Sequence, residues 1–380
     1  MNTFWKGVVW VVGIVVVVGG AYVLLNKQDV FVAGEEIVIG GAFGQSGICA
    51  AFGEGEVKAA QLAVEEANAA GGVNGKPVRL VVEDTQCNGA KTVTAIQKLL
   101  SVDHAAMIIG PTWGDSFQGG YPVMRQAKVV SISPSAAMEA LEFANEPVDY
   151  AFSTWFPQVT EMEVVASYLK SKNLTKVALV YDQDPFGILV VDLFKKAAAK
   201  NGLEIIDKQE LPMGSLDFRT TLTKIKAKNP DVVFARFLAG DTRASFVKQS
   251  RDLGITAQFV GTADTEDPAL AKSFADVLEG IVYTYPVASG AYDEFAQKYK
   301  AKFGTEPQGS SAANAYDAVR VAVEALRNVG VDGDVLEKEL MRLRMPGTMV
   351  KELSFVENHG IRGGDYEIKT IHNGGFVKIK

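Results

Sequence analysis

Apolar strand-like runs alternate with amphipathic helices along most of this 380-residue chain, and this alternation limits the possible folds more than any other feature. The first predicted strands are Ile37–Gly41, Val78–Glu83, Ala106–Ile109 and Val129–Ile132. Helices are predicted between them at Glu54–Ala70, Ala90–Leu100 and Ser116–Gln126. Continuous apolar strands are typical of a parallel sheet with both faces covered, so the pattern predicts a doubly wound α/β lobe.

The alternation restarts after Tyr150. Strands are predicted at Lys176–Tyr181, Leu203–Gln209, Asp231–Ala235, Gln258–Val260 and Ile281–Tyr285, and they are followed by long helices and a tail of short strands. We therefore expect an α/β fold of two doubly wound lobes, with lobe 1 at 36–157, lobe 2 at 158–286, a return to lobe 1 at 287–350 and C-terminal strands of lobe 2 at 351–380. Ligands of such sheets bind beyond the carboxyl ends of the strands, so the lobes should form a cleft.

The run from Gly7 to Leu25 contains no charged residue. As a helix with a rise of about 1.5 Å per residue it just spans a bilayer, so we expect a transmembrane anchor at 7–25. Phe31 does not fit a cleavage site, which favours an uncleaved anchor over a signal peptide. Lys6 favours residues 1–6 in the cytoplasm, a spacer at 26–35, and a receptor domain outside the cell membrane, in the periplasm or at the cell surface.

Composition excludes several classes of function. The net charge of −7 and the pI near 5.3 argue against nucleic acid as a partner. The histidines His104, His359 and His372 lack metal-ligand spacing, and no G-x-S-x-G motif is present. The GGAFGQSG segment does not fit a dinucleotide-binding motif. The sequence therefore predicts no cofactor, no metal and no enzymatic activity.

The chain has two cysteines, Cys49 and Cys87, both in loops at the same end of neighbouring predicted strands. In an exported protein such a pair can form a disulfide. The alternative is two free thiols.

Several segments carry a resemblance to a known family, namely IVIGGAFGQSG, MIIGPTWGDS, VVSISPSAA, VALVYDQDPFG, FVGTADTEDPAL and, most specifically, AGGVNGKPVRLVVED. The chain resembles type I periplasmic binding proteins of the leucine/isoleucine/valine-binding family, the substrate-binding proteins of branched-chain amino acid ABC transporters. The resemblance implies a Venus-flytrap receptor that closes on a small-molecule ligand, an amino acid or a related compound, and presents it to ABC permease subunits. The alternative is a ligand-sensing regulatory domain.

The resemblance also implies ligand contacts. On lobe 1 the backbone of Ser135 and Ala136 is expected to bind ligand, while Ala137 stands where the family has a hydroxyl. Gly114 replaces a family serine, for which Ser116 is a substitute. The family partner of the cysteine at Cys87 lies near Trp113, so Cys49 is the remaining candidate partner.

The other candidate contacts make the expected cleft less polar than the family pattern. On lobe 2, Phe186 stands where an aromatic hydroxyl is common. Trp113 and Trp155 lie in predicted cleft segments as core or pocket residues, and Phe52 is expected to add an apolar wall. The carboxylates of Asp115, Asp184, Asp264 and Glu266 are ligand contacts, solvated loop charges or caps of the following helices, and Asp264 is the preferred contact. Arg236 is expected to bind a ligand carboxylate, form an ion pair between the lobes, or remain exposed.

Overall fold

The computed structural model describes residues 36–143 and 147–379. The predicted cytoplasmic segment 1–6, anchor 7–25 and spacer 26–35 lie outside the described residues. No helix in the described part is long and apolar enough to cross a bilayer.

Lobe 1 is built on a five-stranded parallel sheet in the order β2-β1-β3-β4-β5. Its strands are β1 Ile37–Phe43, β2 Val78–Asp84, β3 Met107–Ile109, β4 Ser131–Ser133 and β5 Ala151–Ser153. The helices that follow the first four strands are α1 Ala50–Ala69, α2 Gly89–Ser101, α3 Gly114–Gln126 and α4 Glu139–Phe143. The apolar residues of β1, β3 and β4 are buried, as a sheet covered on both faces requires.

Lobe 2 contains a seven-stranded sheet in the order β14-β13-β10-β9-β8-β6-β7. Its elements up to residue 286 are α5 Gln158–Ser171, β6 Lys176–Asp182, α6 Pro185–Asn201, β7 Glu204–Leu211, α7 Arg219–Lys228, β8 Val232–Arg236, α8 Gly240–Asp252, β9 Gln258–Gly261, α9 Pro268–Ser273, α10 Ala275–Leu278 and β10 Val282–Pro286. The strands β6 to β10 are mutually parallel, and β13 pairs antiparallel with β10 and β14.

The remainder of the chain is shared between the lobes. Its elements are α11 Tyr292–Phe303, α12 Gly309–Val329, α13 Gly333–Arg342, β11 Met345–Pro346, β12 Glu352–Leu353, β13 Tyr366–His372 and β14 Gly375–Lys378. The apolar faces of α11, α12 and α13 join the core of lobe 1. The segment 351–380, assigned from the sequence to lobe 2, is divided, because Leu353, Phe355 and Ile361 pack in lobe 1 whereas β13 and β14 extend the lobe 2 sheet.

These elements confirm the predicted two-lobe α/β architecture. Short elements were not predicted: β5 has three residues, and β11 and β12 have two each. Such lengths give too few residues for a periodic pattern. Ligands of parallel sheets bind beyond the carboxyl ends of the strands, so the candidate site lies among the loops that follow these strands.

Candidate ligand-binding cleft

The two lobes meet at the helices that follow the carboxyl ends of their strands. Helices α3 and α4 of lobe 1 contact α6 of lobe 2. A hydrogen bond also crosses between the lobes, from the backbone N–H of Val159 to Oε1 of Glu139 over 3.1 Å. Asp115, in the first turn of α3, is also close enough to Asp184, at the start of α6, for the charge of one to shift the pKa of the other, so the starts of these helices face each other across the cleft.

Phe52 and Trp113 form an aromatic wall on lobe 1. Their rings are in edge-to-face contact, with centroids 5.3 Å apart and planes at 74°. Trp113 lies in the loop between β3 and α3 with a φ of 65°, which is strained for a side chain of this size. Phe52 lies in the first turn of α1, and both side chains are half-buried. The structure therefore brings two of the predicted apolar contacts together at the cleft.

The loop that precedes α1 is fixed by a disulfide between Cys49 and Cys87. It joins the segment after β1 to the segment after β2, which are neighbouring strands. Gly44 lies against it, since a Cβ at this position would be 2.2 Å from the Cys49 sulfur. Gly53 is equally constrained, because a Cβ there would lie 2.1 Å from the carbonyl oxygen of Gly44. These close approaches place Phe52 against the loop after β3.

The loop after β4 is held by its own hydroxyl groups. The Ser133 hydroxyl accepts from the N–H of Ala136 over 3.0 Å and donates to the Pro111 carbonyl over 2.7 Å. The Ala136 carbonyl in turn accepts from the Ser153 hydroxyl over 2.7 Å. The backbone groups of Ala136 that were expected to bind ligand are thus both engaged within lobe 1. Ala136 and Ala137 are also buried.

Ser135, Gly114 and Ser116 lie at the start of α3 or beside it. The Ser135 hydroxyl accepts from the N–H of Trp113 over 3.3 Å, so it orients the loop that carries this tryptophan. Gly114 is the first residue of α3 and is partly exposed. Ser116, proposed as a substitute for the missing family serine, is fully buried, and its hydroxyl has no partner among the described residues.

Sequence reasoning missed Glu56, a fully buried carboxyl directly behind this wall. Its Oε2 accepts from the Thr112 hydroxyl over 2.5 Å. Burial raises the pKa of Glu56 to about 7, although hydroxyl groups of Ser135 and Thr112 oppose the shift. Its position within a long helix gave no signal, because its partner Thr112 is 56 residues away in the chain.

On lobe 2, Arg236 ends β8 and is almost fully buried, with 2% of its surface exposed. It forms an ion pair with Asp184, and its guanidinium lies 4.9 Å from the ring centroid of Phe186. Asp184 also caps α6 by accepting from the N–H of Gly187 over 3.1 Å. The ion pair lies within lobe 2, so Arg236 is neither the exposed charge nor the ion pair between lobes that the sequence allowed.

Asp264 and Glu266 follow β9 and are both held by basic residues. Asp264 forms a 2.9 Å ion pair with buried Arg243 and accepts from the Thr262 hydroxyl over 2.6 Å. About a third of the Asp264 side chain, 31%, remains exposed, so it can still meet a ligand. Glu266 pairs with Lys369 over 2.5 Å. Its contacts lie within lobe 2.

Trp155 lies where the chain first crosses between the lobes. With the Gln158 amide oriented to satisfy both neighbours, its oxygen accepts from the Trp155 indole over 3.1 Å, and its nitrogen donates to Glu161 over 3.0 Å. Glu161 is buried and accepts from the Thr284 hydroxyl over 2.5 Å and the Ala263 N–H over 3.0 Å. Burial raises the pKa of Glu161 to about 7. Trp155 is therefore part of a polar network at the crossover.

Acidic groups from both lobes approach each other across the cleft. Partial burial, and then the charge of Asp184, raise the pKa of Asp115, while Arg236 opposes this shift. Burial likewise raises the pKa of Asp182 at the end of β6, one oxygen of which accepts from the N–H of Leu238 over 2.8 Å. Lobe 1 thus presents Asp115 to the Asp184–Arg236 ion pair of lobe 2, and the charge of Asp184 affects the pKa of Asp115 more than the charge of Arg236 does.

Comparison with known proteins assigns the family. Residues 36–373 match the family described as "Periplasmic binding protein". The chain belongs to this family. A relative from Pseudomonas aeruginosa, named "Amino acid binding protein", is 24% identical over 340 residues, which are 88% of this chain and 89% of the relative.

Solved substrate-binding and solute-binding proteins of transporters share the fold. One is the substrate-binding protein of a branched-chain amino acid transporter from Streptococcus pneumoniae, solved in complex with isoleucine. It is 26% identical, with a TM-score of 0.77 over 90% of this chain and 99% of that chain. Another is an ABC transporter solute-binding protein from Rhodopseudomonas palustris BisB5, solved in complex with 3,4-dihydroxybenzoic acid. It is 23% identical, with a TM-score of 0.76 over 91% of this chain and 96% of that chain.

The cleft of this periplasmic binding protein offers apolar contacts and charged groups to a ligand. It combines the aromatic rings of Phe52, Trp113 and Phe186 with paired charges on lobe 2. Within residues 36–143 and 147–379, no group of three or more His, Cys, Asp or Glu side chains could hold a metal ion.

Proposed function

We propose that this protein is an extracytoplasmic solute receptor whose two lobes close on a small organic ligand and present it to an ABC-type permease. The observation that carries the proposal is the pair of facing walls, with Phe52 and Trp113 on lobe 1 and Phe186 over Arg236 on lobe 2. A ligand that contacts both walls only when the lobes are closed binds the closed arrangement more tightly and therefore favours it.

The chemistry of the walls favours an amino acid or an amide-like ligand with an apolar side group. The aromatic rings offer flat apolar surface, and hydroxyl groups that the family pattern would supply are replaced by Ala137 and Phe186. Asp184 is neutralised by Arg236 and Asp264 by Arg243, so the carboxylates of Asp115 and Asp182 add negative charge beyond these two pairs. A ligand with an ammonium group therefore suits this cleft better than an aromatic acid, which carries only negative charge.

A thermal-shift screen tests the receptor proposal. The full chain in mild detergent is melted with each of the common amino acids, their amides, benzoate and 3,4-dihydroxybenzoate. A ligand at about 100 times its dissociation constant should stabilise the protein by about 2.7 kcal/mol. Stabilisation confined to amino acids or amides supports the proposal. Stabilisation by the aromatic acids alone would contradict the ligand class, and no stabilisation by any compound would argue against a small-molecule receptor of this kind.

Membrane attachment through residues 7–25, export and delivery to a permease are further parts of the proposal. They rest on the uncharged run Gly7–Leu25 and on family membership. In the cells that produce it, the protein should stay with membranes after an alkaline carbonate wash and be digested by protease added outside the membrane. Deleting its gene should abolish uptake of the radiolabelled compound found in the screen. Normal uptake without the gene would contradict a delivery role.

A further inference from the structure

The buried carboxyl of Glu56 lies at the junction of the loops that form the lobe 1 wall. Thr112, in the loop after β3, donates to Glu56 Oε2 over 2.5 Å. The same hydroxyl accepts from the backbone N–H of Gly44, in the loop after β1, over 3.0 Å. Because a hydroxyl has one proton, its donation to Glu56 leaves its lone pairs directed at Gly44. Glu56 therefore fixes the direction of a hydrogen bond that joins two cleft loops.

The third loop of the wall also meets Glu56. The Ser135 hydroxyl, in the loop after β4, opposes the rise of the Glu56 pKa together with Thr112. The Ser135 hydroxyl accepts from the N–H of Trp113 over 3.3 Å. Its own proton is therefore directed away from Trp113 and is available to Glu56. The orientation of the Trp113 loop thus depends on two hydroxyl groups, Thr112 and Ser135, that both approach Glu56.

Burial is energetically unfavourable for the carboxyl group of Glu56. Glu56 is 0% exposed, and its Oε1 has no hydrogen-bond partner in the described part of the chain. An apolar side chain of similar size would avoid this desolvation but could not accept from either hydroxyl. A buried group that is costly to keep and orients neighbouring loops is expected where loop geometry matters for binding.

We propose that Glu56 is the positioning residue of the lobe 1 ligand surface, holding the loops after β1, β3 and β4 in one arrangement so that Phe52 and Trp113 form a preorganised wall. Glu56 acts through Thr112 and Ser135 and has no contact with the ligand in this role. The proposal rests on the proposed receptor function for its biological meaning. Its structural content can be tested without any ligand.

Hydrogen–deuterium exchange of the full chain in mild detergent tests it. The variants are Glu56→Ala, Glu56→Gln and the control Asp317→Asn. Asp317 is a buried carboxyl on α12, a helix that packs in the core of lobe 1. Its hydrogen bonds are to Thr348 and Arg320 and not to the cleft loops. Peptides covering residues 40–53, 107–116 and 130–137 report on the three loops.

In Glu56→Ala, exchange should rise about 5- to 30-fold in all three peptides together, the range that corresponds to losing one or two stabilising hydrogen bonds. Glu56→Gln should restore exchange close to the unmodified chain, because its amide oxygen accepts from the same hydroxyl. Asp317→Asn should leave the three peptides unchanged relative to the rest of lobe 1. Unchanged loops in Glu56→Ala, a uniform rise throughout lobe 1, or a failed rescue by glutamine would each overturn the proposal.

Thr112→Val provides a second route if Glu56→Ala does not fold. Valine keeps the shape of threonine but removes the hydroxyl that links Glu56 to Gly44. Exchange should then rise about 5-fold or more in peptide 40–53. An unchanged peptide would overturn the proposal. A negative ligand screen leaves these results intact, so failure of the receptor function and failure of the positioning role can be told apart.

Discussion

At the residue scale, the cleft is defined by side chains whose partners are distant in sequence. Arg236 could be recognised from the sequence as an unusual strand-end charge, but its partner Asp184 is 52 residues away and only folding reveals that the pair is buried. Glu56 gave no signal at all, because a glutamate on an amphipathic helix is usually solvated. The strand-end position of Arg236 was therefore recognisable from the sequence, whereas its pairing with Asp184 and the burial of Glu56 were not.

The Arg236–Asp184 ion pair leads to a stability prediction. Removing one partner by Arg236→Met or Asp184→Asn leaves a buried charge without compensation and should cost about 3 to 5 kcal/mol. The double variant should cost clearly less than the sum of the two, because neither charge is then left alone. Urea unfolding of the four proteins measures this coupling.

An exposed ion pair serves as the control. Arg219 and Asp217 form a 2.6 Å pair with 76% and 61% of their side chains exposed. The corresponding variants, Arg219→Met and Asp217→Asn, should change stability far less than the variants of the buried pair do, because water screens exposed charges. Equal costs at both pairs would show that burial does not govern the effect at Arg236.

Glu161 leads to a prediction on pH. Its pKa is raised from 4.5 to about 7 by burial, so the folded state holds a proton that the unfolded state releases. Its contribution to stability is therefore complete below about pH 4.5, falls as pH rises to about 7, and is constant above that. Glu161→Gln stays neutral and should remove this fall, which amounts to at most about 3 kcal/mol. Urea unfolding between about pH 5 and pH 8 measures it.

The neighbouring Glu163 is the matched control, since it lies on the same helix with 45% of its side chain exposed and pairs with Lys200. Glu163→Gln should leave the pH dependence of stability in place. If Glu161→Gln showed the same dependence as the unmodified chain, the buried carboxyl at the crossover would not contribute to it.

At the scale of elements, the sequence predicted the helices and strands that are long enough to show a periodic apolar pattern. The predicted strand Ile37–Gly41 lies within β1, and the predicted helix Ala90–Leu100 lies within α2. Between β13 and β14, Asn373 and Gly374 adopt the positive φ angles of a tight turn. The division of the tail between lobes was not predictable, because it depends on which core accepts Phe355 and Ile361.

The loop after β1 is the element most dependent on the disulfide. Cys49 and Cys87 are separated by 38 residues, for which loop-closure entropy predicts a stabilisation of at most about 4 kcal/mol. Reduction should lower the melting temperature, while the double variant Cys49→Ser/Cys87→Ser should melt at the reduced value and not respond to reductant. A melting temperature of the unmodified chain that does not change on complete reduction would contradict this role.

At the scale of the whole molecule, the proposed closure would bring Asp115 of lobe 1 towards Asp184 of lobe 2. Partial burial and this like charge raise the pKa of Asp115, so ionised Asp115 opposes the closed arrangement. Asp115→Asn removes the charge and should shift the ligand-free protein towards closure, which is measurable as a smaller radius of gyration by X-ray scattering at about pH 8. A raised pKa favours protonation in the closed state, so acidification should have the same effect on the unmodified chain and little effect on the variant.

Asp149→Asn is the control that tests whether the loss of any carboxylate lowers the radius of gyration. Asp149 is half-exposed and pairs with Arg125, before β5 and away from the carboxyl ends of the strands. Its variant should keep the radius of gyration of the unmodified chain. If Asp115→Asn also left it unchanged at about pH 8, repulsion across the cleft would not limit closure, and the open state would have to be stabilised by the hinge segments instead. If the radius falls in Asp115→Asn alone, a ligand ammonium that neutralises Asp115 would promote closure by the same electrostatic change, which links the ligand class to the motion.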